Sequence, residues 1–128
     1  MKKFNLVITG NPAIKKNSRT IAYNRRTGRM YPVKSKRLYG AEKLANIELR
    51  NQWQWRRAIT TPVAVKFLFY RGDKRRVDLS NLYEFAQDVL QNAGVIADDV
   101  LIESHDGSRK LYDKENPRTE ITITPFSY

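Results

Sequence analysis

The stretch TPVAVKFLFY, residues 61–70, constrains the fold of this chain most. Val63, Val65, Phe67 and Phe69 alternate along it, and β-branched and aromatic types dominate. Period two places those four side chains on one face of a strand, and a strand so apolar on one side has to be covered by a second layer.

The sequence supplies that layer in two segments of helical period. Ser35 is placed to cap a helix through KRLYGAEKLANIELRNQWQW, where Ala41, Ala45, Leu49 and Trp53 recur every four residues; Gly40 weakens only its start. DLSNLYEFAQDVLQNAG fits a second helix, beginning near Asp78 and ending at Gly94, a natural residue just past a helix end. FNLVIT, bounded by GNP, predicts a first strand. NRRTGR predicts the tip of a hairpin with TIAY and RMY as arms. VLIESHDGSRKLY predicts a strand bent at Asp106-Gly107, and RTEITITPF a closing strand. The expectation is α+β: one domain over residues 1–128, a mixed β-sheet packed against two main helices, with no internal repeat or linker.

Several classes are excluded or disfavoured. With no cysteine there is neither a disulfide framework nor a zinc–thiolate site, which fits a reducing cytoplasm. The basic N-terminal stretch has too short an apolar run for a signal peptide or a membrane span, so a soluble, unprocessed protein is expected. The formal net charge is +11, and its distribution is uneven. Residues 1–76 hold 20 Lys and Arg against 3 acids, and residues 77–128 hold 4 against 10. A basic surface on this scale is the footprint of a polyphosphate partner, and nucleic acid is expected over an anionic membrane because the cations lie in loops, not on an amphipathic helix. Lys15, Lys16, Arg19, Arg25, Arg26, Arg29, Lys74, Arg75 and Arg76 are the expected DNA-binding cations.

Against this background the acids of RRVDLSNLYEFAQDVLQNAGVIADDV, residues 75–100, stand out. On a helix, Asn81, Glu84 and Asp88 fall on one face, bordering the apolar side formed by Leu82, Phe85, Ala86 and Val89. Asp78 sits at the helix start, where a carboxylate can accept backbone N–H groups. Asp98 and Asp99 follow Gly94 after a reversal that can return them alongside the helix. Taken singly, each has an ordinary role: a cap, an exposed helix residue, a turn. Together they repel unless a cation lies among them. Hard divalent ions such as Mg²⁺ take oxygen ligands; the nearby Lys74, Arg75 and Arg76 could equally neutralise the group as ion pairs.

The same segment resembles the central motif of the RusA-like Holliday junction resolvases: an aspartate, a spacer, a second aspartate, Asn-Leu, then a helix and an Asp-Asp pair. ITGNPAIKKNSR is similar to the N-terminal turn of that family, and RKLYDKENPRTEITI to its closing strands, so the likeness covers most of the chain. The resemblance implies a homodimeric, magnesium-dependent endonuclease (Mn²⁺ as the alternative ion) that cuts four-way DNA junctions in recombination and repair. It also implies a bacterial or phage-encoded cytoplasmic protein associated with the nucleoid. It assigns Asp78 and Asp99 as catalytic carboxylates, Asp98 as the acidic neighbour and Asp88 as a supporting residue. Two positions depart: Ser80 stands where the pattern has its second aspartate, and Glu84 where it has a functional lysine. Glu84 is then a third catalytic candidate, and Asp78, Glu84, Asp88, Asp98 and Asp99 are the expected metal ligands, with Lys74, Arg75, Arg76 or Lys110 as substitutes for the lysine.

Two rival readings stay open. One is a non-catalytic DNA-binding protein of the same fold, indifferent to Mg²⁺. The other is a nuclease for different branched substrates. Of the remaining features, Trp53 is expected in the core, and Trp55 either between bases or in a dimer contact, with core or interface packing favoured over base stacking for both rings. His105, the one histidine, is expected at a surface or turn, and Tyr23 and Tyr31 either as ordinary strand residues, the favoured reading, or in contact with DNA on a hairpin arm.

Overall fold

The alternating run does form the spine of a sheet. The computed structural model describes residues 2–15 and 19–128. Strand β4, Val63–Arg71, lies beside β7, Arg118–Pro125, which in turn pairs with β1, Phe4–Thr9; both pairings are antiparallel. Along its other edge β4 pairs in parallel with β5, Ile102–Ser104, and then with β6, Arg109–Tyr112, so the sheet is mixed. The bend expected at Asp106-Gly107 is the turn that divides β5 from β6.

Register explains the core. Leu6 lies opposite Ile121, which lies opposite Phe67; Ile8, Thr119 and Phe69 form the next row, and Phe4, Ile123 and Val65 the one before. β1, β4 and β7 thus present their alternate residues to one face, and Val63, Val65, Phe67 and Ile123 are at most 1% exposed. Two helices cover that face. Helix α1, Lys36–Trp53, buries Leu38, Ala45, Leu49 and Trp53; α2, Leu79–Asn92, buries Leu82, Phe85, Ala86, Val89 and Leu90. The result is a single small α+β domain with one core.

α1 starts as expected: the Ser35 hydroxyl accepts from the Leu38 N–H at 3.1 Å. It also protects the open edge of β1. Gln52 accepts from the Val7 N–H at 2.8 Å and donates to the Val7 carbonyl at 2.7 Å, while Glu48 accepts from the Thr9 N–H and hydroxyl. Unpaired strand groups that would otherwise invite a second strand are thereby answered within the chain. The sequence places Trp55 on this helix, but α1 stops at Trp53. Gln54 and Trp55 both adopt left-handed backbone (φ 54° and 62°), at a cost on the order of 1–3 kcal/mol each.

The remaining strands, β2 (Arg19–Asn24) and β3 (Arg29–Lys34), form the expected hairpin as a separate two-stranded ribbon. Tyr23 and Tyr31 are exposed on it, as are Ile21 and Met30. Among the described residues, no helix is long and apolar enough to cross a membrane.

Candidate active site

The polar border of α2 and the chain that returns beside it are positioned by a well-formed helix terminus. Gly94 takes the left-handed conformation (φ 77°), the Gly94 N–H reaches the Gln91 carbonyl and the Val95 N–H the Leu90 carbonyl, both at 3.0 Å. This is the paired-bond helix stop for which glycine is suited. The next residues are pinned by a parallel bridge, in which the Ile59 N–H reaches the Val95 carbonyl and the Ala97 N–H reaches the Ile59 carbonyl, each at 2.9 Å. Asp98 then caps a short 3₁₀ turn, Asp99–Leu101, accepting from the Val100 N–H at 2.9 Å. The Asp99 N–H bonds the Gln91 side-chain oxygen at 2.9 Å. The reversal expected from the sequence therefore brings Asp98 and Asp99 back to the last turn of α2.

There they meet other carboxylates. The Asp99 carboxyl is held above the usual aspartate range by desolvation first, then by its hydrogen bond with Asp98 and the negative charges of Asp98 and Asp88. A raised carboxyl favours its neutral form in the fold, so its contribution is fully present below 3.8 and is lost as the pH rises through the higher folded value. Asp88 has a partner of its own, since the Lys15 ammonium forms an ion pair with it. Lys15 is raised by that hydrogen bond first, and by the charges of Asp88, Glu42 and Glu84, with burial opposing. Lys15, from the loop after β1, is thus drawn into the acidic edge and joined there by Glu42 of α1.

Asp78 stands apart. It caps α2 through its backbone, accepting from Asn81, but its carboxylate makes no capping bond among the described residues and is exposed. Ten residues of helix, at about 1.5 Å each, separate it from Asp88 by roughly 15 Å. Ser80 and Glu84 are exposed on the same helix. Among the described residues, no three His, Asp or Glu side chains converge closely enough to hold a metal ion. The carboxylates of one chain, as arranged, do not make a complete metal site, although Asp99 feels the charge of both Asp98 and Asp88.

Apart from Lys15, the expected cations lie on two other elements. Arg25 and Arg26 lie exposed in the turn of the ribbon and Arg29 at the start of β3. Lys74, Arg75 and Arg76 are exposed in the loop before α2, and the Lys74 ammonium lies 4.8 Å from the Tyr112 ring centre. Lys110 donates to the Val77 carbonyl at 3.0 Å, next to Asp78. The Arg19 backbone belongs to β2, and Lys16 lies outside the described residues. His105 does occupy a turn, its carbonyl accepting from Ser108, but its ring packs inward, 4.2 Å from the Tyr83 ring centre and 3.0 Å from the Gln87 amide nitrogen.

Sequence reasoning missed Glu42, Gln91 and Lys15 as members of this group. Glu42 falls one turn after Leu38 and one before Ala45 and Asn46, beside the buried stripe of α1, so its border position was open to the same helical argument that found Glu84 and Asp88. The partnership of Lys15 carried no such signal, because it depends on the path of a loop.

No curated protein matches the chain. The family described as endodeoxyribonuclease RusA matches residues 4–124, nearly the whole chain, so both helices, the sheet and the acidic edge lie within the match. The chain therefore belongs to the RusA endodeoxyribonuclease family.

Proposed function

We propose that this protein is a divalent-metal-dependent endonuclease that resolves four-way DNA junctions by paired phosphodiester hydrolysis in recombination and repair. The observation that carries the reading is the return of Asp98 and Asp99 to the last turn of α2, where burial and then the charges of Asp98 and Asp88 raise Asp99, in a nuclease-family chain of net charge +11. A bound divalent ion, Mg²⁺ or Mn²⁺, would supply Lewis-acid polarisation of the scissile phosphate. The chain's own part is distinct. Asp98 and Asp99 hold negative charge beside Asp88, and Lys15 offers a fixed ammonium against that edge, in the role the family pattern gives to a helix lysine. Arg25, Arg26 and Arg29 on the ribbon, with Lys74, Arg75 and Arg76 before α2, hold the DNA backbone without reading sequence.

Asp78 joins Asp99 on one ion only if a second protomer contributes one of them, since roughly 15 Å of helix separates Asp78 from Asp88 in a single chain. A homodimer meets that need, and its two-fold symmetry suits paired nicks in related strands of a junction.

The non-catalytic reading keeps one observation in its favour: Asp88 is already neutralised by Lys15. The two separate in a cleavage assay on a labelled four-way junction beside linear duplex, with Mg²⁺ or with EDTA, and with Asp78→Asn in parallel. Symmetric nicks confined to the junction, requiring Mg²⁺ and lost in Asp78→Asn, are expected. Binding without cutting, unchanged by Mg²⁺, would establish the non-catalytic protein, and cleavage of flaps or forks in preference to junctions would establish a nuclease of different substrate.

A further inference from the structure

The two tryptophans flanking Gln54 have opposite environments. Trp53 is 3% exposed and packs edge-on to Phe4 at 4.8 Å, whereas Trp55 is 100% exposed. An indole ring carries a large apolar surface, and showing all of it to water is costly. The backbone nevertheless holds it there, through two successive left-handed residues with no glycine among them. Such conformations persist where the surrounding structure over-determines them, and they cluster at binding sites.

Beside Trp55 runs a half-open groove of about 680 Å³. Its walls include Ile47 and Arg50 of α1, Trp53, Trp55 and Arg56, and Gly94 at the end of α2. The charge of this wall points to the class of ligand. No carboxylate lines the groove among the described residues, while Arg50 and Arg56 do and Arg57 follows, exposed. That charge opposes docking of a second copy through the same face and complements a phosphodiester strand. An exposed aromatic plate, an apolar slot and adjoining guanidinium groups are the components of a stacking site for single-stranded nucleic acid.

We propose that this groove receives an unpaired nucleobase, stacked on Trp55, with Arg50 and Arg57 against the adjoining phosphates. The inference rests on the DNA-cleaving reading above and deepens it. Gly94 lies five residues before Asp99, so the groove opens at the same end of α2 as the carboxylates. A base unstacked at a branch point and held here would present its strand to that end, a form of recognition that linear duplex does not offer.

The test is equilibrium binding of the full chain, in EDTA, to a labelled oligothymidine and to a blunt duplex of equal length, for wild type, Trp55→Ala and Trp55→Phe. Sedimentation of each variant accompanies it. Trp55→Ala is expected to weaken oligothymidine binding about tenfold, the scale of one lost base stack, leaving duplex binding and sedimentation unchanged. Trp55→Phe is expected to restore most of the loss. Equal loss on both nucleic acids, no loss on either, or no difference between Ala and Phe would overturn the stacking site. A Trp55→Ala chain that sediments as a smaller species would assign the ring to a protomer contact and overturn it too. Wild type that binds neither nucleic acid would overturn the DNA reading itself, an outcome distinct from a failure of the groove alone.

Discussion

The Lys15 ammonium is paired with the Asp88 carboxylate, tying the loop after β1 to the polar border of α2. In the family pattern the cation on this face belongs to the helix itself, at the position held here by Glu84. Glu84 now contributes to the negative field that raises Lys15. The cation at this edge comes from the loop after β1 and not from α2. Because Lys15 is raised, its contribution is fully present below pH 10.5 and is lost only as the pH rises through the higher folded value.

This exchange makes a direct prediction. Lys15→Gln should lower single-turnover cleavage of a junction roughly 10- to 100-fold, the range seen when an outer-shell partner of a metal ligand is removed. The stability cost should be about 1 kcal/mol or less, as for most partly exposed ion pairs. Adding Glu84→Lys to the same chain should recover part of the rate. A merely structural Lys15 would show a stability loss without the recovery in cleavage.

The basic ribbon should govern the salt dependence of binding. Replacing Arg25, Arg26 or Arg29 by Ala should reduce the slope of log affinity against log salt by about 0.9 for each phosphate contact removed. Titrations at four or five salt concentrations would read the slope. An unchanged slope for all three would place the DNA on a different face.

His105 provides a pH-linked stability change. Burial of its ring against Tyr83 and Phe67 pushes its pKa below 6.5. Between that lowered value and 6.5 the unfolded chain binds more protons than the folded one, so stability rises with pH through this window. It is fully present above 6.5 and is lost as the pH falls. Urea unfolding at a series of pH values between 7.5 and 5 should show the decline, and His105→Gln should flatten it.

The sheet core should be intolerant at Phe67, which is 0% exposed and lies 5.5 Å from the Phe69 ring and 6.0 Å from that of Tyr83. Phe67→Ala should cost about 3–5 kcal/mol in urea or thermal unfolding. A cost below about 1 kcal/mol would mean that the site collapses around the lost ring.

How much of this was legible follows the range of the forces involved. Period-two alternation located β4 and period-3.6 stripes located both helices, because burial imposes those spacings locally. Ser35 and Gly94 marked real helix boundaries, since capping is chemistry between neighbours in sequence. The return of Asp98 and Asp99 was readable from the glycine stop, but the Ile59 bridge that steers it was not, because it joins segments 37 residues apart. Trp55 was misplaced onto the helix because nothing in its neighbourhood announces two left-handed residues without glycine. The Lys15–Asp88 pair spans 73 residues, and its partner is decided by the fold alone. Asp78 was correctly placed at the helix start, yet its distance from Asp99 follows only once α2 is seen to run unbroken between them.

If the carboxylates at the end of α2 serve DNA cleavage and do not merely shape the fold, removing one of them should stop cutting without loosening DNA. The most direct measurement compares wild type with Asp99→Asn on one labelled four-way junction, recording affinity in EDTA and cleavage in Mg²⁺ from the same preparations. Asp99 is exposed and raised, so the substitution should leave the fold intact. Junction affinity should be unchanged and cleavage reduced by at least ~100-fold. Cleavage at the wild-type rate by Asp99→Asn, with affinity unchanged, would contradict that role.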